Sequence, residues 1–149
     1  MAISRGAGTE IIRSVHLTDV DSTLSNLIIG VQHHIYTVLS VIVKCAAANS
    51  ATSQAFFRLY GYDSKAGSTA QNLHLAQWLL VTDETFVFSD KFSFNGYEPT
   101  NFTGPMDDAA KQDAIADQGS SVAQKLQIYT SHASDNCNVT VTYIDQNNA

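Results

Sequence analysis

Five histidines, two cysteines and a scatter of aspartates are the residues of this 149-residue chain whose chemistry could be put to use. A metal site needs several ligands converging on one ion, and spacing decides whether they can. His33 and His34 are adjacent, so on a strand they point to opposite faces and do not share an ion. His16, His74 and His132 stand apart, and no two histidines lie one helical turn apart or two residues apart on a strand. Structural or surface roles are expected for all five, and no metal site. Asp19-Val20-Asp21 begins like a calcium loop, but Leu24 stands where that loop needs glycine and Gly30 where it needs a bidentate glutamate. It reads as a turn. Asp107, Asp108, Asp113 and Asp117 could hold a cation, but helix capping and solvation account for them.

Cys45 and Cys137 fall at the end of one apolar run and the start of another, where they could be neighbours. Neither has a histidine or base nearby in sequence to activate a nucleophile, and free thiols are expected. The G-x-S-x-G elbow, the phosphate loop, the dinucleotide fingerprint and H-E-x-x-H do not occur. Asn101-Phe102-Thr103 and Asn138-Val139-Thr140 match the glycosylation sequon, which matters only in a secreted protein. No catalytic residue, enzymatic activity or cofactor is expected.

The elements that would position these groups have a period of two. Thr9–Leu17 alternates Ile11, Arg13, Val15 and Leu17 against Ile12, Ser14 and His16, which predicts a partly exposed strand. A short apolar run, Leu24–Val31, follows the aspartate turn. Ile35–Ala47 is the strongest strand, apolar on both faces, with Ile35, Leu39, Val41, Val43 and Cys45 expected on one and Tyr36, Val38 and Ile42 on the other. Such a strand is central or covered by a partner. Its length predicts a bulge near Ser40. Ala55–Tyr62 and Leu73–Val81 are further strands, the latter with Leu73, Leu75, Leu79 and Val81 opposite Trp78 and Leu80. Thr85–Ser89, then Phe92 and Phe94, and finally Gln124–Ser131 and Asn138–Ile144 complete the set. Between them, 95–121 breaks the pattern with both prolines, and Pro105–Gln118 reads as one short helix ended by Gly119. A long excursion among short turns is more often functional than idle. The expected fold is all-β, an antiparallel β-sandwich of jelly-roll type with that helix in a long loop, as one domain over 1–149.

Composition excludes several function classes. Net charge is −6 with only 8 Lys+Arg, which argues against a nucleic-acid partner. No apolar stretch approaches the ~20 residues that span a bilayer, so no membrane is expected. Met1–Gly6 carries no apolar block, so no secretory leader is expected either. Charged residues make up 15%, their place taken by Ser, Thr, Asn and Gln. Tyr97, Phe102 and Met106 in the excursion, and Trp78 on its strand, either fold back onto the sandwich or reach a neighbouring subunit.

Several segments together resemble a known class. Ile35-Tyr36-Thr37-Val38 leads a valine-rich strand into Cys45-Ala46-Ala47-Ala48-Asn49, then a threonine and alanine turn and a phenylalanine-rich strand. Leu126–Ser131 is followed by a turn and Val139–Tyr143. With Arg5–Arg13 and Lys91–Gly96, this is similar to small β-sandwich structural proteins of tailed, marine bacteriophage particles. The resemblance covers most of the chain and rests on strand patterns. It implies a capsid, neck or tail component, most directly a capsid decoration or cement protein located in the virion and assembled in the host cytoplasm. Its partners would be the major capsid protein or other virion proteins, and a homotrimer is the expected assembly. Docking would fall to the N-terminal arm (1–8), with Ile3 and Arg5, and to the excursion, with Tyr97, Phe102 and Met106; Trp78 is the remaining contact candidate. A carbohydrate-binding module is the alternative, with Trp78, Tyr60 and Tyr62 as stacking rings.

Overall fold

A computed structural model of the chain describes residues 6, 8–63, 70–98, 109–110 and 122–148. The strands are β1 (Thr9–Val20), β2 (Ser25–Ile29), β3 (His34–Ala47), β4 (Gln54–Asp63), β5 (Ala70–Leu79), β6 (Thr85–Phe88), β7 (Phe92–Asn95), β8 (Tyr97–Glu98), β9 (Val122–Ala123), β10 (Lys125–Thr130) and β11 (Asn136–Asn147). They form two antiparallel sheets and a small β8–β9 pair. One sheet runs β1-β11-β3-β6, with β7 also on β3; the other runs β2-β10-β4-β5. β6 pairs with Val41–Lys44 and β7 with Ile35–Val38, so the two lie end to end along one edge of β3. Counted as one strand, they make two four-stranded sheets between which the chain crosses repeatedly, the strand order of a jelly roll.

The sheets meet through inward rows of alternate side chains, most regular on β11. On β11 the inward row is Cys137, Val139, Val141, Tyr143 and Asp145. Opposite it, β10 and β4 contribute Leu126, Ile128, Phe57 and Leu59. Phe57 is fully buried and meets Phe88 at 5.5 Å and Phe92 at 6.2 Å between ring centres, joining the sheets. Each such apolar side chain contributes about 1.5–3 kcal/mol by leaving water.

The bulge expected near Ser40 is present. Ser40 pairs with Thr142 and Val38 with Tyr143, which leaves Leu39 as the extra residue. It corrects the expected faces of this strand. Tyr36 and Val38 lie on the same inward side as Val41, Val43 and Cys45, because the extra residue flips the phase. A second bulge, between Phe57 and Arg58 on the β4–β5 pair, acts likewise. Leu73, Ala76 and Trp78 pair with the inward residues Leu59, Phe57 and Ala55, so Trp78 shares a face with Leu73 rather than opposing it. Leu79 pairs with Gln54 and is exposed. Of the expected helix at 105–118, only Ala109 and Ala110 fall within the described residues; the rest lies outside them. The excursion leaves and returns through the β8–β9 pair.

Two backbone features close the ends. Gly96 N–H donates to His34 O at 2.7 Å, Gln124 N–H to Gly96 O at 2.8 Å, and Gly30 N–H to Gln124 O at 2.7 Å. Gly30 and Gly96 approach so closely here that a Cβ on either would collide with backbone of the other segment. At the opposite end the buried carboxylate of Asp135 accepts from Asn49 N–H at 2.7 Å and His132 N–H at 3.0 Å, tying the β3–β4 turn to the β10–β11 turn. Burial alone would raise the pKa of this carboxyl. Hydrogen bonds from Asn49, Ser53, Thr130 and His132 outweigh burial and hold it below the ordinary value. A depressed carboxyl contributes stability above its unfolded pKa, and the contribution is lost as pH falls through the folded pKa. Asp135→Ala is therefore expected to cost about 2–3 kcal/mol at neutral pH. Urea unfolding should also show the gap between variant and wild type narrowing below about pH 4; a gap that is constant with pH would contradict this role.

Candidate functional site

Three surfaces hold the groups singled out from sequence or brought together by the fold. The first is a groove of about 380 Å³ between β1 and β2, lined among others by Arg13, Asn26, His34, Tyr36, Tyr143 and Asp145. Asp145 continues the inward row of β11 and is only 2% exposed. Its Oδ1 lies 2.7 Å from His34 Nδ1, and its Oδ2 3.5 Å from the Arg13 guanidinium. At that distance the imidazole nitrogen and the carboxylate oxygen share one hydrogen bond. The Tyr36 hydroxyl accepts from Val31 N–H at 3.1 Å. Burial, with the charge of Asp145 adding to it, pushes the Tyr36 pKa up to about 12. Burial pushes Tyr143 up as well. Sequence reasoning missed this cluster, although the signal was there: Val139, Val141 and Tyr143 alternate straight into Asp145. The arrangement fixes an imidazole and a carboxylate; among the described residues no serine, threonine or cysteine side chain is hydrogen-bonded to His34.

The second surface is the outer face of the β2-β10-β4-β5 sheet. Phe56 and Tyr129 stack across strands at 4.9 Å, and Arg58 lies 5.3 Å from the Tyr129 ring. Arg58 Nε donates to Gln127 Oε1 at 3.0 Å, and Gln127 Nε2 to Asn26 Oδ1 at 2.8 Å. Lys125 sits 5.8 Å from the Tyr60 ring. Each cation–ring contact contributes about 0.5–1 kcal/mol at such sites. These rings and polar groups are engaged with one another rather than held open. Trp78 is stacked on Phe86 at 3.9 Å, across the gap between β5 and β6. That leaves it half-buried at a sheet edge. Trp78 and Tyr60 are thus both half-buried, each with one contact to its ring, and the Tyr62 side chain lies outside the described residues.

The third surface is the pair of open edges. The exposed large hydrophobic residues fall into two groups among the described residues. Ile11, Ile12, Leu24, Ile29 and Val31 lie on β1, on β2 or next to β2. Leu73, Leu79, Val81 and Val87 lie on β5, on β6 or in the turn between them, and Ile42 pairs with Val87. Ile12 is 70% exposed, the extreme of the set. The two groups sit on opposite sides of the sandwich, because β1 and β2 form one edge pair and β5 and β6–β7 the other.

Of the contact residues expected from sequence, Trp78 and Tyr97 are half-buried and within the described residues. Ile3, Arg5, Phe102 and Met106 lie outside them. Cys45 and Cys137 are neighbours, directly opposite on β3 and β11, and both are free and buried. His16 Nδ1 is 2.8 Å from Thr140 Oγ1, and His132 Nδ1 accepts from Ser134 N–H at 3.0 Å. The turn expected over Asp19–Asp21 falls later: Asp19 and Val20 still belong to β1, beyond its irregularity at Leu17, and the chain turns from Asp21, whose Oδ1 accepts from Thr23 N–H at 2.7 Å.

No family model and no curated protein matches this chain. Solved structures similar to it include one from Bacillus endospore appendages, described as disulfide-linked pili, with 10% identity, a TM-score of 0.44, and 100% of this chain and 97% of that one covered. A chain of infectious bursal virus derived T=1 particles has 10% identity and a TM-score of 0.41, over 99% of this chain and 38% of its own. A chain of the T13 infectious bursal disease virus particle has 9% identity and a TM-score of 0.40, over 99% and 37%. This chain spans under two fifths of the length of either bursal-virus chain.

The buried carboxylate gives the groove a sharp test. His34→Ala removes a close hydrogen-bond partner of Asp145 and is expected to cost about 2–4 kcal/mol. The double variant His34→Leu/Asp145→Leu should recover most of that loss, because no charge is then left buried. Thermal unfolding that finds the double variant less stable than His34→Ala would refute the carboxylate as the source of the cost.

Proposed function

We propose that this chain is a structural protein of a bacteriophage particle, most directly a decoration or cement protein on the capsid. It would be one sandwich domain acting through protein–protein contact, without catalysis. The observation that carries the reading is the concentration of exposed apolar side chains along both edges of the sandwich; among the described residues Ile42 of β3, beside Val87 of β6, is the one such side chain on a central strand. Apolar edges of this kind mark contact surfaces. The low share of charged residues suits surfaces that lose water on assembly. A jelly-roll strand order is also used by capsid domains.

One edge of a copy against the opposite edge of the next is a heterologous contact, which closes into a ring when the rotation allows. We propose a homotrimer of this kind. The arm at 1–8, with Ile3 and Arg5, and the excursion, with Tyr97, Phe102 and Met106, would dock the ring on the major capsid protein, stabilising the shell by mass action. A neck or tail accessory role uses the same contacts. Copy number per particle separates the two, many for capsid cladding and few for a neck or tail ring.

Light scattering tests the edge assignment. The wild type should run at the mass of a closed oligomer. Ile12→Lys and Val87→Lys, both at exposed positions, should each shift it to monomer, while Asn138→Lys, in mid-sheet on the outer face, should not. A wild type that is monomeric at every concentration, or oligomers indifferent to both edge variants, would overturn the reading.

A further inference from the structure

The two cysteines are the only pair of like reactive groups that the described sheets place face to face, and the hydrogen-bond pattern around them specifies the geometry. Cys45 of β3 is the register partner of Cys137 of β11. In an antiparallel ladder, a residue sends its N–H and its C=O to the same neighbour. Cys45 N–H donates to Glu84 O at 2.9 Å, and Cys45 O accepts from Asp83 N–H at 2.8 Å. Both groups therefore point away from β11. Cys45 and Cys137 form a non-hydrogen-bonded pair, the type whose Cα atoms lie at about 4.5 Å and whose side chains are closest. That separation is within the range a disulfide spans, about 4.4–6.8 Å. Both side chains face the interior from directly opposed positions on adjacent strands.

We propose that Cys45 and Cys137 are a site for an intrachain cross-strand disulfide, made during folding in an oxidising medium and withheld in a reducing one. More than half of the chain lies between the two residues, so the bond would constrain the unfolded ensemble strongly. It would staple the two central strands of one sheet at the end where Asp135 ties the turns. The chemistry with a small disulfide such as oxidised glutathione is balanced. A thiolate of the pair attacks a glutathione sulfur and releases one glutathione thiolate. The second cysteine thiolate then attacks the mixed disulfide, forms the protein S–S bond and releases the other. The two cysteine protons end on the two glutathione thiols.

Timing follows from burial. Cys45 is 2% exposed and Cys137 fully buried. Burial pushes both thiols up, Cys137 to about 12, so few thiolates form and an oxidant cannot reach them in the folded state. Closure belongs to the folding chain rather than to the finished sandwich.

The test is to denature the reduced full-length chain and refold it with oxidised and reduced glutathione, and in parallel to expose the folded, reduced chain to the same buffer. The refolded chain should lose both free thiols and two hydrogens in mass, remain free of intermolecular bonds on a non-reducing gel, and melt several degrees above the reduced chain. The folded chain should keep both thiols far longer. Cys45→Ser and Cys137→Ser should each erase the difference in melting temperature between oxidising and reducing refolding. Retention of both thiols after oxidative refolding would overturn the proposal, as would bonds mainly between chains or a disulfide form that melts lower than the reduced one.

Discussion

The antiparallel ladder between β3 and β11 is the constraint on which the other elements depend. It runs from Asn136 opposite Ala47 to Asn147 opposite His34, the longest pairing among the described residues. Its two strands supply most of the inward side chains of one sheet. The remaining strands of that sheet hang from it, β1 on the far side of β11 and β6 and β7 on the far side of β3. The ladder also carries the polar devices at both ends. Asp145 and its partners sit at one end, and Asp135, just before β11, ties the turns at the other. The inserted Leu39 lets β3 keep its inward row from Tyr36 to Cys45 while the broken edge strand changes from β6 to β7 beside it, and a second insertion, Ala46, follows Cys45.

The same topology creates the surfaces offered for assembly. Because the chain crosses between the sheets, each sheet has two edges with no further strand among the described residues, and these stack pairwise on two sides. Closure of the core leaves those sides carrying the apolar residues that the central strands do not cover. Straight edge strands are usually guarded by charge, proline or a bulge. β1 has its irregularity only beyond Leu17, so Thr9–Leu17 offers an unbroken row of backbone groups. The outer face of the other sheet, by contrast, is satisfied internally by its ring, guanidinium and amide contacts.

Local alternation made much of this legible in sequence. The β1 faces and the existence of the long central strand follow directly from a period of two, and the length of Ile35–Ala47 announced its bulge. What alternation cannot supply is the phase after an inserted residue, which is why Tyr36 and Val38, and later Trp78, sit on faces other than those expected. Pairing between distant strands was equally out of reach. Arg13 and Asp145 are brought together by a ladder joining the two ends of the chain, and nothing near either residue announces the other. Nothing in the sequence singles out Asp135; its role comes from Asn49 on a separate turn.

If copies meet through the edges of the sandwich, as proposed, backbone hydrogen exchange read segment by segment at low and high protein concentration will register it. Amides of Thr9–Leu17 facing away from β11, and those of the β6–β7 edge, should become protected as concentration rises, while the outer face of the β2-β10-β4-β5 sheet should not change. Exchange at both edges that stays fast at every concentration, with protection confined to amides already paired within one chain, would contradict it.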